Sequence, residues 1–242
     1  GNLSRLLSCY FTFVAKNKDT NLPSSAIHRF HPSTSYEENL YKQRELLAKQ
    51  RKKDRNQSNS FHSFLNIEQP EQYQLINTLI DRGNALKDMP ALAHMNSVLI
   101  SQTGLENSLL IPPQNVNTSG RVFGGFLMHR AYDLALSTCY SFSGMKPFFR
   151  EVDKITFKRP VDIGDLVRFK SRVVYASDNP ILPIVQVEVT CQVMRPEQSC
   201  SYQSNTFNFI FGFPEGVSLR HVLPTTLEEA ITLITASKTS FN

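Results

Sequence analysis

The most regular pattern in the chain runs from Ile184 to Met194. Val185, Val187, Val189, Cys191 and Val193 share one face there, and Gln186, Glu188, Thr190 and Gln192 share the other. A period of two predicts a half-buried strand. Val152 to Lys158, Leu166 to Ala176 and Tyr202 to Phe211 read as three more strands, and the apolar run from Phe126 to Phe142 predicts a long helix ahead of them. One apolar helix followed by four successive strands predicts an α+β fold, an antiparallel sheet wrapped around a central helix. A parallel nucleotide-binding sheet would need helices between its strands. The short turns around Gly164-Asp165 and Asp178-Asn179-Pro180 leave no room for them.

Upstream, Pro70 to Arg82 reads as a helix with Tyr73, Ile76 and Ile80 on one face and Gly83 as its stop. Met95 to Gln102 and Leu105 to Ile111 are strand-like. Glu37 to Arg55 is a charged helix or linker, followed by a polar break at Asn56 to Ser60. Near the N-terminus, Leu7 to Phe13 alternates like a strand, and its surroundings recur at the other end of the chain. Tyr10-Phe-Thr-Phe-Val14 with Pro32-Ser-Thr-Ser-Tyr-Glu-Glu38 parallels Phe207-Asn-Phe-Ile-Phe211 with Pro224-Thr-Thr-Leu-Glu-Glu229. In both places the spacing predicts a helix-capping box, Thr34 with Glu37 and Thr225 with Glu228. The expected organisation is therefore an internal repeat whose first copy supplies only a last strand (1–20), a helical linker (21–88), and one full domain (89–242).

Composition narrows the chemistry. Forty per cent of the 242 residues are apolar, with seventeen Phe, which is ample for a core. The net charge of +5 and pI near 9.0 suit an anionic ligand such as a nucleotide. Much of the basic excess sits in Lys49 to Arg55 without interleaved aromatics, so a solvated helix face is expected there and no nucleic-acid partner. Four scattered cysteines without a C-x-x-C pair argue against zinc and for a reducing compartment. No apolar run is long enough for a membrane span. The histidines lack metal-ligand spacing, and neither a G-x-S-x-G elbow nor a phosphate loop is present.

The chemistry concentrates in Asn117-Thr-Ser-Gly-Arg-Val-Phe-Gly-Gly-Phe-Leu-Met-His-Arg-Ala-Tyr-Asp133. Gly124 and Gly125 allow close approach to the backbone where a helix begins. That start leaves N–H groups unpaired and carries partial positive charge, so it can hold a polarised carbonyl oxygen. Asn117 is in an Asn-x-Ser glycosylation pattern and could also be a plain turn residue. Asp133 lies three and four residues after Arg130 and His129, the spacing of an intrahelical ion pair. A polar stripe on an apolar helix also suits a cleft or a facing module.

These residues resemble the hotdog-fold acyl-coenzyme A thioesterases of the two-hotdog mitochondrial type. The resemblance rests on Arg121-Val-Phe-Gly-Gly-Phe-Leu-Met128 and Ala131-Tyr-Asp-Leu-Ala135, and extends through Val152-Asp-Lys-Ile-Thr-Phe-Lys-Arg-Pro-Val-Asp-Ile-Gly164 and Asn205-Thr-Phe-Asn-Phe209. It implies hydrolysis of acyl-CoA to a free acid and CoA in a cleft between two hotdog modules, in the mitochondrial matrix. It implies no cofactor, since CoA belongs to the substrate. Asn117 matches the Asn that positions water or the thioester carbonyl, with Gly124 and Gly125 stabilising the oxyanion. The catalytic acid would come from a facing module, in cis or through homo-oligomer formation. Asp133 is this chain's candidate, one position beyond the place of the acid in single-hotdog relatives, which Tyr132 occupies here. A non-catalytic acyl-CoA-binding or assembly module is the alternative.

Overall fold

In the computed structural model, the described residues are 30–57, 70–92, 96–115, 122–152, 155, 157–177 and 179–239. The chain divides into two compact units, 1–66 and 67–242. The strand expected at 1–20 lies outside the described residues.

The described part of the first unit is helix α1, Ser35–Gln57. Its start is a reciprocal box. The Glu37 carboxylate accepts from the Thr34 N–H at 3.2 Å, and the Glu37 N–H donates to Thr34 Oγ1 at 3.2 Å. The Ser33 N–H and hydroxyl add bonds to the same oxygen at 2.9 and 3.0 Å.

The second unit opens with α2, Pro70–Asp88. Gly83 is inside this helix and does not stop it. A Cβ there would lie 1.9 Å from the Pro224 carbonyl oxygen, so the glycine serves close packing. Next come β1 (Ser97–Leu99), a short 3-10 turn at Ile100–Gln102, and β2 (Leu105–Leu110). Helix α3 spans Gly124–Ser143. Gly144, at φ 70°, takes the left-handed conformation that ends it, and its N–H reaches the Tyr140 carbonyl.

After α3 come β3 (Phe148–Val152), β4 (Leu166–Ala176), β5 (Ile184–Arg195) and β6 (Cys200–Gly212). Then β7 (His221–Leu223) leads into α4 (Leu227–Thr239). The main sheet is antiparallel in the order β2-β4-β5-β6-β3. β1 and β7 form a separate parallel pair.

The core lies between α3 and one face of the sheet. Leu127, Ala131, Leu134, Ala135, Thr138, Cys139 and Phe142 recur at helical spacing and are buried against Phe169, Val187, Val189, Phe207, Phe209 and Phe211. Within that apolar layer the hydroxyls of Thr138 and Ser171 meet at 2.5 Å. On the opposite face Arg172 bridges Glu188 at 2.9 Å and Glu228 at 3.4 Å, tying β4 and β5 to α4. Helix α2, expected as linker, packs against α4.

Two expectations shift. Of the strand foreseen at Val152 to Lys158, Val152 ends β3, and Phe157 and Lys158 lie outside the sheet. The residues that follow are held to β6 by side-chain bonds instead of ladder pairs. Ser204 Oγ donates to the Arg159 carbonyl at 2.8 Å, and the Tyr202 hydroxyl donates to the Pro160 carbonyl at 3.0 Å. The second capping box also moves by one residue. Thr226 Oγ1 accepts from the Glu229 N–H at 3.3 Å, and the Glu229 carboxylate accepts from the Thr225 N–H and hydroxyl at 2.8 and 3.1 Å. Because α4 starts at Leu227, its cap is Thr226 and its reciprocal acid is Glu229 rather than Glu228.

Candidate active site

The start of α3 is built by two backbone anchors. The Val122 N–H donates to the Val161 carbonyl at 3.2 Å, and the Phe123 N–H to the Asn115 carbonyl at 3.0 Å. Phe123 is extended (φ −68°, ψ 125°), and no side chain of its own caps the helix. The Phe126 N–H turns back to the Phe123 carbonyl. Among the described residues, no acceptor meets the N–H groups of Gly124 or Gly125. The helix therefore presents two donors and the positive end of its dipole.

Aromatic rings crowd both glycines. A Cβ on Gly124 would lie 2.8 Å from Phe157 Cζ, and one on Gly125 would lie 2.7 Å from Phe123 Cε1. Both rings are exposed, at 50% for Phe157 and 59% for Phe123. The Phe157 ring also meets buried Phe207 edge-on, with centroids 6.3 Å apart. Sequence reasoning missed these neighbours. The sequence pattern puts Phe157 in an expected strand, and only long-range contacts bring it to the glycines.

Asp133 is elsewhere on the helix. Eight residues beyond Gly125, it is displaced by about 12 Å along the axis. Its carboxylate is 3.7 Å from His129 Nε2 and 3.9 Å from an Arg130 nitrogen, with about half of the side chain exposed. Exposed pairs of this length contribute a few tenths of a kcal/mol at most. Asp133 thus does not converge on the helix start of its own chain. Tyr132 is packed among Phe149, Phe209 and Phe211, with ring centroids 5.6, 5.8 and 6.0 Å away. Asn117 lies outside the described residues.

Other candidates are weaker. Burial pushes the Cys139 and Cys191 thiols up to about 12, so neither supplies a thiolate nucleophile. A cavity of about 410 Å³ opens on the outer face of the sheet, bordered by Ser101, Glu106, Lys170, Arg172, Glu188 and Glu228. Its two cations are engaged by Glu106, Glu188 and Glu228. Near the 157–165 segment, Arg195 grips Asp165 at 2.7 Å and Asp162 at 2.8 Å. Burial would raise the Asp165 carboxyl, but the Arg195 bonds outweigh it and hold it below the usual range. This pair fixes the loop that leads past the helix start.

Comparison with known proteins adds a family. Residues 119–182 match the model of the Thioesterase superfamily. The chain is 42% identical over 232 residues to acyl-coenzyme A thioesterase 2, chloroplastic, from Humulus lupulus, covering 93% of the chain and 52% of that protein. It is 44% identical over 227 residues to acyl-coenzyme A thioesterase 4, mitochondrial, of the same plant, covering 91% and 42%. Identity to mouse acyl-coenzyme A thioesterase 9, mitochondrial, is 29% over 231 residues, covering 93% and 50%. The chain thus spans about half the length of these relatives. Among solved structures, an acyl-CoA hydrolase from Staphylococcus aureus aligns with a TM-score of 0.53 at 20% identity, covering 60% of this chain and 88% of that one. An apo hexameric acyl-CoA thioesterase aligns with 0.54 at 19%, covering 60% and 94%. At such identities the shared property is the fold.

Proposed function

The chain carries a hotdog domain of the thioesterase superfamily, and from that premise we propose that it hydrolyses acyl-CoA thioesters at a site completed by a second hotdog module. The observation that carries this reading is the start of α3, where Gly124 and Gly125 offer N–H groups with no acceptor among the described residues. Water adds to the thioester carbonyl carbon, the helix-start donors stabilise the oxyanion, and collapse expels the CoA thiolate, which takes up a proton. Asn117 orients the water or the carbonyl. A carboxylate from the facing module, or Asp133 of a partner copy, serves as general base. CoA is part of the substrate, and the reaction needs no separate cofactor.

Two features support a shared site. Asp133 is about 12 Å along the axis from Gly125 in its own chain. β3 forms an edge of the sheet, with Phe148 and Phe149 exposed at 54% and 38%, and so offers a surface to a second module in cis or in a homo-oligomer. The relatives are named as mitochondrial or chloroplastic proteins, and of these locations we propose the mitochondrial matrix. No helix among the described residues is long and apolar enough to cross a membrane.

The test is thiol release from short, medium and long acyl-CoAs by this chain, by its Asn117→Ala variant, and by a form extended to the length of the relatives. Turnover by the extended form that collapses in Asn117→Ala supports the composite site. A folded extended form that releases no thiol overturns it. That result would favour a binding or assembly module, a reading that draws on the Tyr132 aromatic cluster.

A further inference from the structure

We propose that Phe123 and Phe157 form the aromatic walls of the slot that presents the thioester to the helix-start donors, and that Phe157 is a specificity-determining residue for the acyl thioester. This rests on the reading of Gly124 and Gly125 as the oxyanion site.

Both rings stand on anchored backbone. Phe123 is fixed through its N–H bond to Asn115. The residues after Phe157 are held at Arg159, Pro160 and Val161 by Ser204, Tyr202 and Val122. One ring lies against each glycine, at separations that would leave a Cβ only 2.8 or 2.7 Å from ring carbon. The glycines therefore let the rings descend to the level of the backbone at the helix start. Two half-exposed phenyl groups next to two N–H groups that meet no acceptor among the described residues make a mixed surface, apolar at the sides and hydrogen-bonding at the base. A thioester has the same character, with a flat, weakly polar carbonyl flanked by carbon and sulfur. The rings shield the developing oxyanion from water, which strengthens the N–H bonds to it. CoA without an acyl group lacks the carbonyl and gains nothing from the slot.

The experiment measures calorimetric binding of free CoA and of a non-hydrolysable S-alkyl-ketone CoA analogue to the intact protein and its Phe157→Ala and Phe123→Ala variants. Thiol-release kinetics are recorded alongside. Because both rings are exposed, the variants should keep the thermal midpoint of the parent. Phe157→Ala is expected to bind the analogue about tenfold more weakly, the scale of one lost aromatic contact. KM should rise in step, while affinity for free CoA stays as it was. Gly124→Ala should show the same selective loss, and Gly124→Ala/Phe157→Ala should lose less than the two single effects combined, since the added methyl enters space the ring has left. Unchanged analogue binding and KM in both Phe variants would overturn the proposal, as would equal weakening toward free CoA. Parent protein that binds the analogue but releases no thiol refutes the hydrolase reading, and the slot is then decided by the binding results. Parent protein that binds neither ligand overturns both.

Discussion

The first turns of α1 and α4 carry the same hydrogen-bonding arrangement on helices of opposite character. In each, a Ser or Thr after a proline donates to a Glu carboxylate, and that Glu returns its N–H to the following Thr. Beyond the cap they diverge. Tyr36, Tyr41, Leu46 and Leu47 of α1 are exposed, whereas Ala230, Ile231, Ile234 and Ala236 of α4 are buried. A cap satisfies the backbone within one turn, so it is independent of what the helix later packs against. The tertiary setting decides how much each cap matters.

The largest expected effect comes from a contact of α4 with no described counterpart at α1. Gly83→Ala would drive a methyl into the Pro224 carbonyl, immediately before the α4 cap. It should destabilise the 67–242 unit by about 3 kcal/mol or more, read from urea denaturation. A variant with the parental midpoint would show that α2 and α4 are not closely docked. Next, Glu229→Ala removes two accepted hydrogen bonds at a residue only 7% exposed. The expected cost is about 1–3 kcal/mol in the same assay, and Glu37→Ala should have a smaller effect. Equal losses at the two acids would break the distinction drawn between the helices. Thr226→Ala deletes the other half of the α4 box and should cost about 1 kcal/mol, largely restored by Thr226→Ser.

The smallest effect is a titration. Hydrogen bonds from Ser33, first from its N–H and then from its hydroxyl, and from the Thr34 N–H hold the Glu37 carboxyl below its ordinary 4.5. A depressed carboxylate contributes its stabilisation fully above the ordinary value and loses it as pH falls through the folded one. The amide signals of Ser33 and Thr34 should therefore hold their positions through pH 4.5 and move only at lower pH. Movement centred at or above 4.5 would mean that the box is not formed in solution.

The same contrast between local and distant causes explains what the sequence made legible. β4 was expected at Leu166 to Ala176 and has those bounds; β5 and β6 exceed their expected spans by a residue or two at the ends. Alternation in the strands and helical spacing in α3 each report the face turned to their shared core. Gly83 was misread because a helix-ending glycine and a glycine that admits a neighbouring carbonyl look alike in one dimension. The α4 cap was offset by one because Thr225-Thr226 and Glu228-Glu229 allow two registers, and the helix start at Leu227 selects between them. At the site, the glycine pair and its helix were legible from local chemistry. The rings beside it and the cluster around Tyr132 were not, since Phe157, Phe207, Phe209 and Phe211 reach α3 through tertiary contacts.

The small parallel pair of β1 and β7 has a consequence for the order of events during synthesis. Ser97 pairs with His221 and Leu99 with Leu223, joining segments more than a hundred residues apart. Closing a loop of that length has a high entropic cost and depends on the intervening sheet to bring the ends together. As the chain leaves the ribosome, α3 and the β4–β5 hairpin can form while β7 is still unmade. The clasp closes last, and until it does α4 lacks the pairing that leads into it. Truncation just before His221 should therefore leave a collapsed but unlatched domain, prone to capture by chaperones.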